Sequence, residues 1–221
     1  LTIAGDIGCY TLGAGHPWNS LDSTICMGAS MGVALGMDKG RGEADKNKKI
    51  LAVIGDSTFM HMGMQGLLDI TWNRGNVTVL LLDNGTVGMT GRQNTPANGR
   101  DIHGQQAPRI DFPRLIEALG VKNERIHVVD PYQLPVLFKT VRDETKIDDV
   151  SVIIAAGAAG KVLLPESVRR GLTGLKVAID LNAVPPLGIE GIAATDRNAD
   201  RDGVRAWGAL GVGAAKMKIH K

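Results

Sequence analysis

The chain has 221 residues, of which 25 are basic and 23 acidic, so its formal net charge is +2. A charge this small does not predict a nucleic acid or another polyanion as partner, and no run approaches the roughly 20 apolar residues that span a bilayer. Aromatic residues make up only 4% while glycines number 29, which favours an α/β sheet with tight turns over a nucleic-acid module that stacks bases on aromatic rings.

The sequence contains two cysteines, Cys9 and Cys26. Two thiols cannot hold a four-thiolate iron–sulfur cluster or a zinc ribbon within this chain. A disulfide between them is an open alternative that no other feature of the sequence supports. A reducing cytoplasm is therefore the expected location.

The first 49 residues predict one strand and one helix. Residues 1–15 are a short apolar strand that breaks into a glycine-rich turn. Small residues recur among apolar ones in 23–40, which predicts a helix that begins near Cys26 and allows close approach of a backbone or a ligand. The charged residues of 40–49 are typical of a surface loop.

A turn that carries an acid joins the next strand to a helix. The continuous apolar run Lys49–Gly55 is typical of a parallel strand covered on both faces. Ser57 or Thr58 is expected to cap the helix that follows, which runs to about Asn73. The predicted inner face of this helix comprises Met64, Leu67, Leu68 and Trp72.

Strands and helices continue to alternate after this helix. A strand Val77–Leu82 precedes a polar loop over 84–108, and a loop of that length is usually functional. The remaining predicted elements are a helix at 112–119, a strand at 126–129, a helix at 133–145 and a strand at 150–155. The alternation predicts a doubly wound α/β domain with a mostly parallel sheet.

The pattern changes after Ala155. Residues 155–221 have their own glycine turn, a predicted buried strand Lys176–Leu181 and a Gly/Ala-rich helix near 207–218. We therefore predict two domains, 1–154 and 155–221.

Oxygen-bearing residues follow two successive strands of the first domain. Asp56 follows one and Asn84 the other, and the backbone carbonyl of Thr86 is placed to join them. Mg²⁺ prefers about six oxygens shared between protein and phosphate. Ligands bind at the carboxyl ends of parallel strands, where helix N-termini attract anions. This predicts a metal and phosphate site, with the alternative that Asp56 and Asn84 only cap and turn the chain.

Four motifs of the first domain carry a resemblance to a known family: GDIGCYTLG at 5–13, CMGASMG at 26–32, GDSTF at 55–59 and LDNGTVGMTGRQ at 82–93. With these motifs the chain resembles, over about residues 3–154, the thiamine-diphosphate-binding domain of indolepyruvate ferredoxin oxidoreductase alpha subunits. The resemblance implies a doubly wound sheet of the thiamine-diphosphate-binding type, with thiamine diphosphate and Mg²⁺ as cofactors.

The same resemblance implies a set of site residues. Asp56, Asn84 and the Thr86 carbonyl would bind Mg²⁺. The implied cofactor-binding residues are Gly8, Cys9, Tyr10, Gly28, Ala29, Ser30, Gly55, Asp56, Ser57, Asn84, Thr86, Gly88 and Thr90. Two positions depart from the general signature of such domains: Ser57 replaces a glycine, and Asp83 stands where many relatives have the first of two asparagines.

The function that this resemblance implies is the oxidative decarboxylation of a 2-oxoacid, with electrons passing to an iron–sulfur chain. Such an enzyme needs an activating glutamate from a pyrimidine-binding domain, and it needs the clusters. We expect both from other domains or subunits, and therefore expect an oligomer. Four glutamates are expected at the surface, so no catalytic residue is assigned in this chain: Glu43, Glu117, Glu124 and Glu144.

Residues 155–221 resemble a different family. They look like the C-terminal part of NADP-dependent methylene-tetrahydromethanopterin dehydrogenases, through the motifs AAGAAG at 155–160, KVAIDLNAVPPLGIEGI at 176–192 and WGALGVGAAKMKIHK at 207–221. This implies a Rossmann-like fragment in which the turn Ala156–Gly160 and the loop around Asn182 lie near NADP. The glycine fingerprint of the phosphate-binding half does not occur.

The chain is thus interpreted as an apparent fusion of two families. Beside the 2-oxoacid:ferredoxin oxidoreductase, two alternatives remain. One is an NADP-dependent dehydrogenase of one-carbon metabolism, and the other is a subunit fragment that assembles with partners without catalysis. None of the three predicts a nucleic-acid or membrane partner.

Overall fold

The computed structural model describes residues 1–157, 162, 164–180, 188–208 and 210–211. By internal contacts the chain divides into two units, Leu1–Gly157 and Ala158–Lys221. No helix within the described ranges is long and apolar enough to cross a membrane.

The first unit is built on a six-stranded sheet. Its strands are β1 Thr2–Gly5, β2 Ser23–Thr24, β3 Ile50–Gly55, β4 Val77–Asp83, β5 Ile126–Val129 and β6 Ser151–Ala156, in the order β2-β1-β3-β4-β6-β5. Every neighbouring pair is parallel. Residues 50–54 of β3 are all buried, as expected for a parallel strand covered on both faces. The predicted parallel α/β sheet is confirmed.

Helices connect these strands. They are α1 Ser30–Gly40, α2 Asp56–Thr58, which continues through a π-helical turn Phe59–Gly63 into α3 Met64–Trp72, then α4 Phe112–Ala118 and α5 Leu134–Glu144. At the start of α4 the Asp111 carboxylate accepts a hydrogen bond from the Arg114 N–H at 3.2 Å, an ordinary helix cap. The four elements predicted between 112 and 155 occur within one residue of their predicted bounds.

The start of α1 differs from the prediction. The helix begins at Ser30 rather than near Cys26. Gly28 precedes it with a φ of 81°, and its N–H donates to Asp6 Oδ1 at 2.8 Å. A residue in the left-handed conformation cannot lie inside a right-handed helix, so the helix starts after Gly28. The predicted start near Cys26 was therefore wrong.

The start of α2 corrects a second expectation. The helix begins at Asp56, directly after Gly55, so Ser57 and Thr58 lie inside it and neither caps it. Gly55 occupies the cap position, and within the first turn Asp56 Oδ1 accepts a hydrogen bond from the Ser57 N–H at 2.8 Å. The predicted caps were therefore wrong by two to three residues.

The inner face of α3 is formed by Leu67 and Ile70, both fully buried. Leu67 was predicted there, and Met64 is half-buried. Leu68 and Trp72 are 50% and 83% exposed, so their predicted inward position was wrong. They lie one turn apart on a neighbouring face of the helix, which water reaches.

The second unit contains a small mixed sheet among its described residues. Its strands are β7 Val177–Asp180, β8 Arg197–Arg201 and β9 Val204–Gly208, with β7 parallel and β8 antiparallel to β9. The helix α6, Glu166–Gly171, carries the buried Arg169. Its guanidinium donates to the carbonyls of Glu190 and Arg201 and, at 2.8 Å, to Asp202 Oδ2, which satisfies a buried cation.

Two predictions for this unit were wrong. The strand predicted as buried alternates instead, since Ala178 is buried while Val177 and Ile179 are each 51% exposed. The start of the helix predicted near 207–218 was wrong, because Trp207 and Gly208 end β9, while Leu210 and Gly211 are helical.

Other predictions for the second unit lie outside the described residues. These concern Ala158–Gly160 in the predicted turn, Leu181, the loop around Asn182 and residues 212–218. The Rossmann-like character of this unit stays a prediction.

The two adjacent leucines of α3 provide a test of the buried face. Leu67→Ala should lower the free energy of unfolding by about 2–5 kcal/mol, because it removes a fully buried side chain. Leu68→Ala, the matched control on the exposed face, should change it by only about 0.5 kcal/mol. Urea unfolding followed by circular dichroism measures both, and equal losses would contradict the observed orientation of the helix.

Candidate functional site

The carboxyl ends of the central strands open into one cavity of about 400 Å³ in the first unit. Segments that follow β1, β3, β4, β5 and β6 all contribute to its wall. Nine of the predicted cofactor residues line it: Gly8, Cys9, Tyr10, Gly55, Asp56, Ser57, Asn84, Thr86 and Gly88. The parallel sheet thus brings together segments that are far apart in the sequence.

Asp56 is a buried acidic residue of this cavity. It is 3% exposed, and its Oδ1 accepts the hydrogen bond from Ser57. Its other oxygen, Oδ2, is buried and has no hydrogen-bond partner among the described residues. Burial, and secondarily the charge of Asp83, raise the pKa of Asp56 to about 6, because both disfavour the ionised carboxyl.

The register of the sheet explains why Asp56 and Asp83 interact. Gly55 on β3 pairs with Leu82 on β4, so the residue that follows each partner lies at the same edge of the sheet. Asp83 Oδ1 also accepts a hydrogen bond from the Gly85 N–H at 3.0 Å. Sequence reasoning treated Asp83 only as a departure from a motif, and the strand pairing makes it a second carboxylate of the site.

Asn84 and Thr86 form a tight turn at the end of β4. Asn84 Oδ1 accepts a hydrogen bond from the Thr86 N–H at 3.1 Å, and the Thr86 hydroxyl donates to the Gln93 carbonyl at 3.1 Å. A Cβ on Gly88 would lie 3.4 Å from Asn84 Nδ2. Asn84 and Thr86, the two metal ligands predicted in this turn, line the same cavity as Asp56.

The donor chemistry of this cavity suits a hard cation. A buried carboxylate oxygen without a partner, a second carboxylate and an amide oxygen are ligands of the kind that Mg²⁺ takes. Among the described residues no group of three or more His, Cys, Asp or Glu side chains could hold a metal. A metal here would therefore depend on amide and carbonyl oxygens as well as on carboxylates.

Tyr10 closes one side of the cavity. Its hydroxyl oxygen accepts a hydrogen bond from the Gly55 N–H at 3.2 Å. Burial and the neighbouring Asp6 raise the pKa of the Tyr10 phenol, so it keeps its proton at neutral pH. The ring lies against Gly8, where an added Cβ would come within 2.4 Å of Tyr10 Cε1. A larger residue in place of Gly8 would therefore displace Tyr10.

Asp6 was missed by sequence reasoning. It is fully buried and accepts hydrogen bonds from the backbone N–H groups of Ile7 and Gly28 at 2.8 Å and of Ser30 at 3.0 Å. These bonds hold the start of α1 against the end of β1. The available signal was a single acid between an apolar strand and a glycine turn.

Four predicted cofactor residues do not line the cavity: Gly28, Ala29, Ser30 and Thr90. The first three belong to the segment that Asp6 holds, and Met27 beside them does line it. The Thr90 hydroxyl donates to Gln93 Oε1 at 2.8 Å, within the exposed loop. The roles of these four residues stay predictions.

Apolar residues form much of the wall, and the sequence nominated none of them. They are Ile7, Met27, Leu82, Val87, Met89, Pro131 and Tyr132. In the sequence, an apolar residue that lines a cavity next to a strand end cannot be told from an apolar residue of the core. Only the tertiary structure distinguishes cavity-lining residues from core residues.

None of the residues that line the cavity is a glutamate. Glu43, Glu117 and Glu124 are exposed as predicted. Glu144 is only 5% exposed, so its predicted surface position was wrong. Its carboxylate lies 2.8 Å from His127 Nε2 and 3.3 Å from Arg125 Nη1, and these hydrogen-bonding partners compensate its burial. Cys9 and Cys26 are both exposed free thiols.

Comparison with known proteins gives a family match and curated relatives. A family model described as the C-terminal TPP-binding domain of thiamine pyrophosphate enzymes matches residues 6–155. Subunit IorA of indolepyruvate oxidoreductase from Thermococcus kodakarensis is 31% identical over 93% of this chain and 34% of its own length. IorA from Archaeoglobus fulgidus is 39% identical over 69% of this chain and 23% of its own length. The chain spans about a third, or less, of the length of these relatives.

A shorter match concerns another protein. The chain is 45% identical to the bifunctional protein MdtA from Methylorubrum extorquens over 69 residues, which are 31% of this chain and 24% of MdtA. The predicted dehydrogenase resemblance of residues 155–221 stays a prediction.

Two solved structures share the fold. A 2-oxoglutarate:ferredoxin oxidoreductase from Magnetococcus marinus superposes with a TM-score of 0.60 at 15% identity, over 99% of this chain and 76% of that one. Benzoylformate decarboxylase from Polynucleobacter necessarius superposes with a TM-score of 0.54 at 16% identity, over 72% of this chain and 30% of that one. The predicted fold of the thiamine-diphosphate-binding type is confirmed.

The raised pKa of Asp56 gives a test on the metal-free protein. Between about pH 4 and 6 the folded chain holds a proton that the unfolded chain has released, so this carboxyl makes stability fall as pH rises through that window. Asp56→Asn should lose this contribution and should be more stable than the parent at pH 7. Urea unfolding in chelator between pH 4.5 and 7.5 measures the difference.

The exposed Asp69 offers a matched control. Asp69→Asn should follow the parent chain at every pH. If Asp56→Asn also followed the parent, the carboxyl would not be perturbed as its burial indicates.

Proposed function

The chain belongs to the family of C-terminal TPP-binding domains of thiamine pyrophosphate enzymes, and we propose that it is the cofactor-binding part of an indolepyruvate-type 2-oxoacid:ferredoxin oxidoreductase. The observation that carries the proposal is the buried, unpartnered Asp56 Oδ2 in a cavity shared with Asn84 and Thr86. The identity to two IorA subunits, 31% and 39%, supports this enzyme type over other thiamine-dependent enzymes.

The proposed metal is Mg²⁺, bound by Asp56, Asn84 and the Thr86 carbonyl. Its support is electrostatic. Asp56 is buried beside Asp83, its Oδ1 accepts a hydrogen bond from the Ser57 N–H, and a divalent cation would favour the ionised form that burial disfavours. Three protein oxygens leave room for phosphate oxygens in an octahedral sphere.

The remaining cavity residues would bind and orient the cofactor. When bound, thiamine diphosphate supplies the electron sink that lets a 2-oxoacid lose carbon dioxide. Gly55 and Ser57, together with Thr90 from the loop outside the cavity lining, are proposed to lie near the diphosphate, where Gly55 lets a backbone approach closely. Tyr10 holds the Gly55 N–H and so fixes the strand end that carries Asp56.

Other parts of the enzyme are proposed to come from outside this stretch of chain. The activating glutamate is one, because no glutamate lines the cavity. The iron–sulfur clusters are another, because the chain has only two cysteines. We therefore propose partner domains or subunits that provide a pyrimidine-binding surface and the clusters, and an oligomeric assembly.

A second candidate function concerns residues 155–221. We propose that this segment derives from a methylene-tetrahydromethanopterin dehydrogenase of the NADP-dependent type. The motifs of this segment support the proposal. This second proposal predicts that the chain binds NADP rather than thiamine diphosphate, and both ligands can be tested on the same protein.

Thermal unfolding separates these proposals. Thiamine diphosphate with Mg²⁺ should raise the melting temperature of the parent chain, because a ligand that binds only the folded state stabilises it. Asp56→Ala should abolish the increase, whereas Asp69→Ala, which removes an exposed carboxylate of α3, should leave it unchanged. NADP alone should produce no comparable shift through the first unit.

The opposite results would be decisive. Stabilisation by NADP but not by thiamine diphosphate would favour the dehydrogenase, and an equal thiamine-diphosphate response in Asp56→Ala would exclude the proposed metal ligand. If neither ligand raised the melting temperature, the remaining alternative would be a non-catalytic fragment that assembles with partner subunits.

A further inference from the structure

The long loop after β4 builds a second cavity, separate from the first. It has a volume of about 340 Å³ and is lined by Asn98, Gly99, Arg100, Gln106, Ala107 and Arg109. None of these residues lines the cavity around Asp56. The proposed function of the chain gives this second cavity no role.

Hydrogen bonds within the loop hold this cavity in shape. Asn98 Oδ1 accepts from the Arg100 N–H at 2.9 Å, and Asn98 Nδ2 donates to Asn94 Oδ1 at 3.1 Å. The Ala107 N–H donates to the Gly99 carbonyl at 2.9 Å. Gly99 has a φ of 67°, and an added Cβ would lie 3.1 Å from Arg109 Cβ. The cavity therefore depends on a glycine that lets two segments of the loop approach closely.

Both arginines are oriented by backbone carbonyls. Arg109 Nε donates to the Ala97 carbonyl and Arg100 Nη1 to the Gly104 carbonyl, each at 2.9 Å. Each guanidinium has five N–H donors, so most of them stay available. Neither arginine forms an ion pair among the described residues, and the carboxylate of the loop, Asp101, is occupied by the N–H groups of His103 and Gln105.

The charge balance of the cavity is therefore uncompensated. Two arginines, both exposed to solvent, line it and no acidic residue does, so an anion that enters would meet positive charge without a competing carboxylate. Guanidinium forks match the oxygens of phosphate in bidentate geometry. Gln106 also lines the cavity, and its side chain makes no hydrogen bond within the described residues, so it adds an uncharged donor.

We propose that this cavity binds a phosphate group. Two guanidinium charges correspond to the double charge of a phosphate monoester or of inorganic phosphate, whereas a carboxylate would compensate only one. The phosphate is either the free ion or the terminal group of a larger ligand, and the recognition chemistry is the same for both.

Isothermal titration of the metal-free chain with inorganic phosphate and with phenyl phosphate tests this proposal, in chelator and at constant ionic strength. Saturable binding at one site is expected. Arg100→Gln and Arg109→Gln should each weaken it by roughly tenfold or more, because each removes charge-assisted hydrogen bonds. Arg114→Gln removes an equal charge outside the cavity, where Arg114 is paired with Asp111, and should leave the affinity unchanged.

The same titration on Asp56→Ala separates the two cavities. If Asp56→Ala binds phosphate with unchanged affinity, the phosphate site belongs to the loop cavity. This conclusion holds whether or not the chain binds thiamine diphosphate. If an arginine variant fails to fold, Gln106→Leu replaces it, since that side chain supports no internal bond, and weaker binding is again expected. Binding of phenyl phosphate as tight as that of phosphate indicates a larger ligand, and binding of inorganic phosphate alone indicates the free ion.

Four results would overturn the proposal. Three are the absence of saturable binding, an unchanged affinity in both arginine variants, and an equal loss in Arg114→Gln, which would indicate nonspecific attraction by charge. Tighter binding of acetate than of phosphate would also overturn it, because the cavity would then select a single charge.

Discussion

The first unit depends on how two buried carboxylates at the ends of parallel strands are satisfied. Asp6 follows β1 and accepts three backbone N–H bonds, which satisfy the hydrogen-bonding capacity of this buried side chain. Asp56 follows β3, accepts a hydrogen bond from the Ser57 N–H, and retains a buried oxygen without a hydrogen-bond partner among the described residues. The first carboxylate is satisfied by the fold, and the second is the one that we propose as a metal ligand.

The parallel sheet makes this division possible. Its strands end at one edge, so residues from β1, β3 and β4 meet there although they are separated by tens of residues in the chain. The register between β3 and β4 also places Asp83 beside Asp56, and this neighbour adds to the burial that disfavours the charge of Asp56. A cation at this edge would relieve the unfavourable electrostatics without any change in the sheet.

The loop after β4 follows a different physical rule. It lacks the buried apolar runs of the sheet, and hydrogen bonds from its own polar side chains stabilise it instead. Asn98, Asp101 and Thr95 accept hydrogen bonds from nearby backbone N–H groups. Such bonds act over a few residues and need no core. They order the loop well enough to place Arg100 and Arg109 around one cavity.

The sequence by itself determined the alternation of strands and helices, the buried strand β3, and the nomination of Asp56 and Asn84, because apolar runs and the residues that end them are local patterns. It did not determine the start of α1, the orientation of Leu68 and Trp72, or the burial of Glu144 between Arg125 and His127. Those features depend on contacts between distant segments. Only the tertiary structure decided that Asp6 is satisfied by the chain while Asp56 is not, since the N–H groups that distinguish them belong in part to residues more than twenty positions away.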